Sequence, residues 1–339
     1  MTRTDALTRG LADFEHALAA RDVVAAVDVV EELLHDGADA VTVALDIIAA
    51  AQRRVGERWL RGEWSVAQEH AATGISASAL EAIARRVSRK AAPRGRIVLA
   101  CAEREWHTLP ALLVATGLRE HGWDVTCLGA STPADRLASY LHDVDPHVAA
   151  VSCSVVGALP NSRRFIEAGT GAGIPVLAGG SAFGPDARRA EALGATAWAP
   201  SLRAAADVLD ALPAVVSPAP PLPAGLLAEQ RVLELEHHAR TESLRGHWRP
   251  EDTLGPDTTG HDEVAAIAKD CVQHVLYAVQ AALLTGDGRL VRDAAEWIGA
   301  ALTARGAPAS VTSALGDELA HELRGRERAV TLVRRYWPR

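Results

Sequence analysis

The sequence predicts an α/β domain between two all-helical segments, and three observations carry that prediction. Residues 1–88 show helical periodicity throughout. Between 95 and 212, short apolar runs alternate with helical stretches, the pattern of a parallel sheet with crossover helices. A Pro-rich run, Ala214 to Gly225, then gives way to helical periodicity over 226–339.

In the first segment Leu11, Phe14 and Leu18, then Val23, Val27, Val30, Leu33 and Leu34, recur largely at three- and four-residue spacing. Helices are predicted near 5–20, 22–36, 39–61 and 65–88, forming a four-helix bundle with joints at Asp22, Asp36-Gly37 and Arg61-Gly62-Glu63. Ser65 with Gln68 three residues on has the form of a capping box, which places the start of the fourth helix. At that joint Trp59, Glu69 and His70 can meet at one end of the bundle. They also have an ordinary reading, as a packing aromatic beside solvated polar groups.

Lys90 to Gly95 reads as a short linker. Beyond it, strands are predicted at 96–101, 123–128, 147–153, 174–178 and 195–199, and helices at 110–121, 133–142, 161–171, 185–193 and 202–212. Most of the strands are near-continuously apolar, as expected when both sheet faces are covered. Five such units argue for a flavodoxin-like order 2-1-3-4-5, with its switch point between the first and third strands. Ligands bind there, at the carboxyl edge of the sheet.

The edge residues fit that role. Glu105-Trp106-His107-Thr108-Leu109-Pro110 follows the first strand, and a histidine with a carboxylate two residues before it suits an imidazole held ready for a metal. Ser152-Cys153-Ser154 follows the third strand and offers hydroxyls. Gly179-Gly180-Ser181 follows the fourth, where glycines let a bulky ligand approach the backbone. Singly these are ordinary loop residues; together they describe a pocket with convergent polar groups.

The C-terminal segment is predicted to hold helices near 226–247, 262–285, 288–304 and 308–325, with enough residues for its own core. Six histidines fall here: His237, His238, His247, His261, His274 and His321. Cys271, His274 and Tyr277 share one helix side, as do Asp293 and Trp297 on the next helix. A packed His–Tyr–Trp core is the plain alternative to a pocket.

The totals narrow the function classes. A net charge of −8 and a pI near 5.9 leave no broad footprint for nucleic acid. No apolar run reaches the about 20 residues of a membrane span. The first residues lead into an amphipathic helix rather than a signal peptide. Cys101, Cys127, Cys153 and Cys271 form no close pair and read as buried thiols of a reducing compartment, so a cytoplasmic protein is expected.

Glu105-x-His107-x-x-Pro110, Ser152-x-Ser154 and Gly179-Gly180, behind a helical bundle, resemble the cobalamin-binding module of methionine synthase and its relatives. That resemblance implies His107 as the lower cobalt ligand, Glu105 as its orienter, and the Ser and Gly positions along the nucleotide tail. Glu105 stands where the family has Asp, and Pro110 where it has Gly. Trp59-x9-Glu69-His70 looks like the bundle motif of the light-sensing cobalamin repressors of the CarH type, implying that Trp59 and Glu69 surround the adenosyl group. Leu60 occupies the position of the family's histidine that takes the upper site after light, so His70 and water are the candidates for that role. No DNA-binding domain is read in this sequence, and no direct DNA contact is expected. The C-terminal helices, with His274, Tyr277, Gly286-Asp287, Asp293 and Trp297, look like those of the photocobilins, which pair the cobalamin module with a globin- and phycobiliprotein-related bilin domain.

The expected organisation is therefore a bundle over 1–88, an α/β cobalamin domain over 95–212 and an all-helical, globin-like domain over 226–339. The implied cofactors are adenosylcobalamin and biliverdin or another linear tetrapyrrole, held non-covalently. The implied function is that of a photoreceptor and not an enzyme, with an unidentified signalling partner and possible self-association. Two other readings stand beside it. One is a corrinoid carrier of a methyltransferase system, which would need an open upper face. The other is a bilin or globin-like sensor with an empty α/β module, which Pro110 favours.

Overall fold

The computed structural model describes residues 2–87, 94–254 and 261–338, so Lys90 to Pro93 of the expected linker lie outside the described residues. Helix α1 (Arg3–Ala20) starts in a capping box between Thr2 and Asp5 and stops where Arg21 turns left-handed (φ 60°). Helix α2 (Val23–His35) follows at once, because the Asp22 carboxylate accepts from Ala25 N. The third helical stretch is continuous over 40–60 but changes pitch: α3 (Ala40–Val43) runs through a π-helical stretch, Ala44–Ala49, into α4 (Ala50–Leu60). Helix α5 (Val66–Arg86) begins in the expected Ser65–Gln68 capping box. Phe14, Leu18, Val30, Ile47, Ile48 and Ile83 are buried among these helices. Val23 is not core; at the first helical position it is 42% exposed.

The next segment alternates as expected: β1 (Arg96–Cys101), α6 (Thr108–Glu120), β2 (Asp124–Cys127), α7 (Ala134–Val144), β3 (Val148–Ser152), α8 (Leu159–Gly171), β4 (Val176–Gly179), α9 (Arg188–Ala192), β5 (Ala197–Ala199) and α10 (Leu202–Asp210). The strands form one five-stranded parallel sheet in the order β2-β1-β3-β4-β5. Its register sets Cys101 beside Ser152, Ser152 beside Gly179 and Gly179 beside Ala199. The carboxyl ends of the four strands therefore lie in one row.

Alternate strand residues divide between the two faces. Ile97, Leu99, Val148, Ala150 and Leu177 pack with α6 and α10 residues such as Leu118 and Leu202. Glu120, at the end of α6, accepts from Ala40 N and Val41 N, which seats α3 on this side of the sheet. Val98, Ala100, Ala149, Val151, Val176 and Ala178 face the other way, toward Leu137 of α7 and Phe165 of α8.

That second face does not end at α7 and α8. The remaining helices are α11 (Ala224–Leu235), α12 (His237–His247), α13 (His261–Thr285), α14 (Arg289–Thr303), α15 (Ser310–Glu322) and α16 (Glu327–Tyr336). Val264, Cys271, Val275, Ile298 and Leu315 belong to the same apolar cluster as Val98 and Phe165, so sheet face and C-terminal helices share a continuous core. A buried ion pair reinforces the join, with Arg189 of α9 2.7 Å from Asp287 between α13 and α14. The expected helix over 226–247 is two helices meeting at Glu236, where no Gly or Pro marks the break. Helix α16 had no counterpart in the periodicity, because its buried residues are only Ala329 and Val333. All four cysteines are free, and Cys127 is only partly buried. Among the described residues no helix is long and apolar enough to cross a membrane.

Candidate functional site

The row of strand ends carries the site. After β1 the chain enters the loop through Arg104 in a left-handed conformation (φ 71°), a strain of about 1–2 kcal/mol. Arg104 N donates to Ser131 Oγ and Ser131 N donates to Glu105 O, so the loop after β2 holds the loop after β1. The strained turn sends the Glu105 side chain inward, where it is wholly buried.

Glu105 is saturated there. Its Oε1 accepts from His107 N and lies 2.8 Å from His107 Nδ1. Its Oε2 accepts from Ser154 N (2.5 Å) and Val155 N (2.9 Å) in the loop after β3. Burial would push this carboxyl up, but the bonds from His107, Ser154 and Val155 outweigh it and hold it ionised below the usual carboxylate range. The bond from Glu105 raises the His107 pKa against burial, and the Glu105 and Glu69 charges add to it. With Nδ1 occupied by the carboxylate, Nε2 is the free nitrogen of a side chain that is 60% exposed. This is the arrangement of an imidazole held for a metal.

Beside it lies a slot of about 200 Å³ between the sheet and the α6–α10 side, lined by Ser152, Gly179, Gly180, Pro110, Leu113 and Leu45, among others. Gly180 takes φ +105°, and a Cβ on it would run into the Cys153 backbone. Pro110 sits in the first turn of α6, where a missing N–H leaves nothing unpaired, and its ring forms part of the slot wall. Of the two expected serines only Ser152 lines the slot; Ser154 acts through its backbone N–H on Glu105.

Above the edge stands the α4–α5 end of the bundle. Leu109 and Leu113 of α6 pack in the bundle core, which brings the bundle against the start of α6. Glu69 is positioned by residues that the spacing did not single out. Thr73 Oγ1 donates to Glu69 Oε1 at 2.8 Å and lies 3.2 Å from Gln52 Oε1, while Gln52 Nε2 donates to Ser76 Oγ. The available signal was the helical offset of four between Glu69 and Thr73, and of seven between Gln52 and Trp59. His70 Nδ1 is tied to Glu69 Oε2 at 2.6 Å, its ring 73% exposed. Among the described residues no group of three or more His, Cys, Asp or Glu is placed to hold a metal by itself.

Trp59 stacks on Trp297 of α14 (centroids 5.6 Å apart), and Trp297 in turn lies against His274 of α13 at 4.9 Å. Tyr277, one turn on from His274, stacks on His237 at 4.1 Å, and its hydroxyl accepts from Arg104 Nη1. Burial pushes both His237 and His274 down to about 4. Arg240 is engaged by Glu236 and Glu322, and Arg245 by Glu242.

The residues fit a corrinoid: a free, oriented imidazole nitrogen, a narrow slot beside it for a tail, and glycine backbone at the slot. Sequence comparison agrees. Residues 95–207 match the family model of a B12 binding domain, and residues 11–84 match a second B12 binding domain model. The HTH-type transcriptional repressor CarH of Myxococcus xanthus is 31% identical over 143 residues, 40% of this chain and 46% of that protein, so the chain spans about half the length of this relative. The monomethylamine corrinoid protein of Methanosarcina barkeri superposes with a TM-score of 0.54 at 16% identity, covering 60% of this chain and 99% of that one, which shows a common fold. The chain carries a cobalamin-binding module.

Proposed function

We propose that this protein is a light sensor that takes adenosylcobalamin, and that signalling rather than catalysis is its role. Bound adenosylcobalamin supplies a cobalt–carbon bond that light can break. The chain's own residues do the rest. His107 offers Nε2 below, Glu105 fixes its tautomer, and the slot by Ser152, Gly179 and Gly180 takes the tail. Trp59 and Glu69 stand where they line the space of the upper group, and His70 is a candidate for the upper position once that space empties.

The observation that supports this reading is the placement of Glu69, held by Thr73 at the end of a bundle whose core takes in Leu109 and Leu113 of α6. A methyl-group carrier, the second reading, shares the fold but needs the upper side open to a partner. Absorption spectra of the full chain with adenosylcobalamin, in the dark and after illumination, separate the two. A light-driven change lost in His107→Ala supports the sensor. Cobalamin bound with no preference for the adenosyl form and no light response supports the carrier.

A linear tetrapyrrole in the C-terminal helices extends the proposal. The neutral, buried His274 beside Trp297, and Tyr277 stacked on His237, are the groups proposed to meet it, and the globin-like reading of these helices belongs with this step. Arg240 and Arg245 would have to leave their carboxylate partners to serve its propionates. A red absorption band on adding biliverdin to the full chain tests it, and its absence removes the second chromophore.

A further inference from the structure

The end of α4 that carries Trp59 is not held by its own bundle. Arg305, just past α14, is 4% exposed in its side chain. It donates from Nη2 to Trp59 O (2.9 Å), which also accepts from Gly62 N, and from Nη1 to Leu60 O (3.1 Å). Its guanidinium also lies over the Trp59 ring, 5.5 Å from the centroid. The same indole stacks on Trp297. Leu60, the next residue, packs on the cluster shared by the sheet and the C-terminal helices. Gly62, left-handed at φ +72°, brings the following turn close against Ala304 and Arg305. Two consecutive residues of α4 are thus gripped through backbone and side chains by α14 and the residues after it.

We propose that Arg305, seconded by Trp297, is a positioning residue of the cofactor site that fixes the Trp59 indole and thereby sets selectivity for the bulky adenosyl upper group. The inference rests on reading Trp59 as part of the upper face. It makes that selectivity a property of the C-terminal helices, although neither family-model match extends into them. The guanidinium is charged at any working pH and forked, so one side chain reaches both carbonyls while its Nε holds Glu263 at 2.8 Å. A lysine has no such fork.

The test compares binding of adenosylcobalamin with that of methylcobalamin, both in the dark, by full-length wild type, Arg305→Gln, Trp297→Ala, Trp297→Phe and Glu263→Gln. Arg305→Gln and Trp297→Ala are expected to lower the preference for the adenosyl form about tenfold while methylcobalamin binding holds, the effect of losing roughly one charge-assisted contact. Trp297→Phe keeps a ring on Trp59 and should recover most of the preference. Glu263→Gln removes the charge of a half-exposed carboxylate but keeps an oxygen that can accept from Arg305 Nε, so the ratio should hold. The ligand-free proteins give an independent readout, since the Trp59–Trp297 pair should produce an indole exciton signal in circular dichroism that both disruptive variants lose. An unchanged ratio in Arg305→Gln and Trp297→Ala, with the exciton signal gone, overturns the proposal. A loss of both cobalamins to the same degree also overturns it, since that marks a structural role only. If wild type itself shows no preference for the adenosyl form, the reading of the upper face fails before the role of Arg305 is reached.

Discussion

Glu105→Gln is the sharpest perturbation of the site, because one atom changes inside a fully occupied environment. The carboxylate accepts four bonds, two on each oxygen, and all four donors are N–H groups. An amide keeps only one oxygen. If that oxygen stays on His107, the NH₂ group faces Ser154 N and Val155 N, and two buried donors lose their acceptor. At about 1–3 kcal/mol for each unsatisfied buried group, the fold loses about 2–6 kcal/mol. If the amide flips, the loop after β3 is satisfied and His107 is released instead. In either state the negative charge that steadies the imidazole is gone, and metal affinity falls by about 10–100-fold, the usual cost of removing a carboxylate behind a ligating histidine. Cobalamin titration followed by absorbance, with urea unfolding in parallel, reads both effects. Because Glu105 acts on the metal only through His107, the Glu105→Gln, His107→Ala double variant should bind no more weakly than His107→Ala alone. Wild-type affinity in Glu105→Gln, or additive losses in the double variant, would refute the reasoning.

Three further outcomes are expected. Gly180→Ala would force a Cβ into the Cys153 backbone at φ +105°; urea unfolding should show a loss of about 2 kcal/mol or more, and cobalamin affinity should drop with it as the slot narrows. His274 is neutral in the fold with its pKa pushed down to about 4, so the unfolded chain binds the extra proton and stability must fall as pH drops from about 6.5 toward 4; between pH 7 and pH 5 the loss is about 1–2 kcal/mol, and a His274→Phe variant should show a flatter pH profile. Asp287→Asn removes the buried carboxylate of Arg189 and leaves it the exposed Asp293 at 3.4 Å, so about 3 kcal/mol of stability should go and limited proteolysis should release the C-terminal helices before the sheet domain; uniform resistance would argue against that join.

The sequence made the sheet legible because its strands are buried on both sides. Val98, Leu99 and Ala100, or Ala149, Ala150 and Val151, read as unbroken apolar runs, and their lengths left one topology with the helices between them. Glu105 and His107 were legible for a different reason, since both partners lie within one loop and the spacing itself brings carboxylate to imidazole. What the sequence hid is what depends on two distant segments meeting. Gln52 and Thr73 are unremarkable on their own helices and become a support for Glu69 only when α4 lies on α5. Trp59 pointed to the site, but its stack on Trp297 crosses more than two hundred residues and no local period announces it. The break at Glu236 was invisible because its backbone stays near the helical region, with φ −87° and ψ 0°.

Leu60 stands where the resemblance to the light-sensing repressors implies a histidine, and the C-terminal helices bear on that difference. Here α4 ends on Arg305, and Leu60 is committed to apolar packing, so a polar ring at position 60 would leave its nitrogens unpaired against a hydrophobic cluster. The same helical stretch passes Leu45, which lines the slot by Gly179 and Gly180, and reaches Trp59 about 21 Å further along its axis. One continuous element therefore reaches from the slot to α14. Within it, the π-helical stretch at Ala44–Ala49 is where the hydrogen-bonding pattern departs from the α-helix on both sides. A change at the upper face would then pass either back along this helix toward the slot or sideways through Trp297 into α13 and α14. The stack of Trp59 on Trp297 and the bonds from Arg305 to the Trp59 and Leu60 carbonyls join this end of α4 directly to the C-terminal helices, which favours the sideways route.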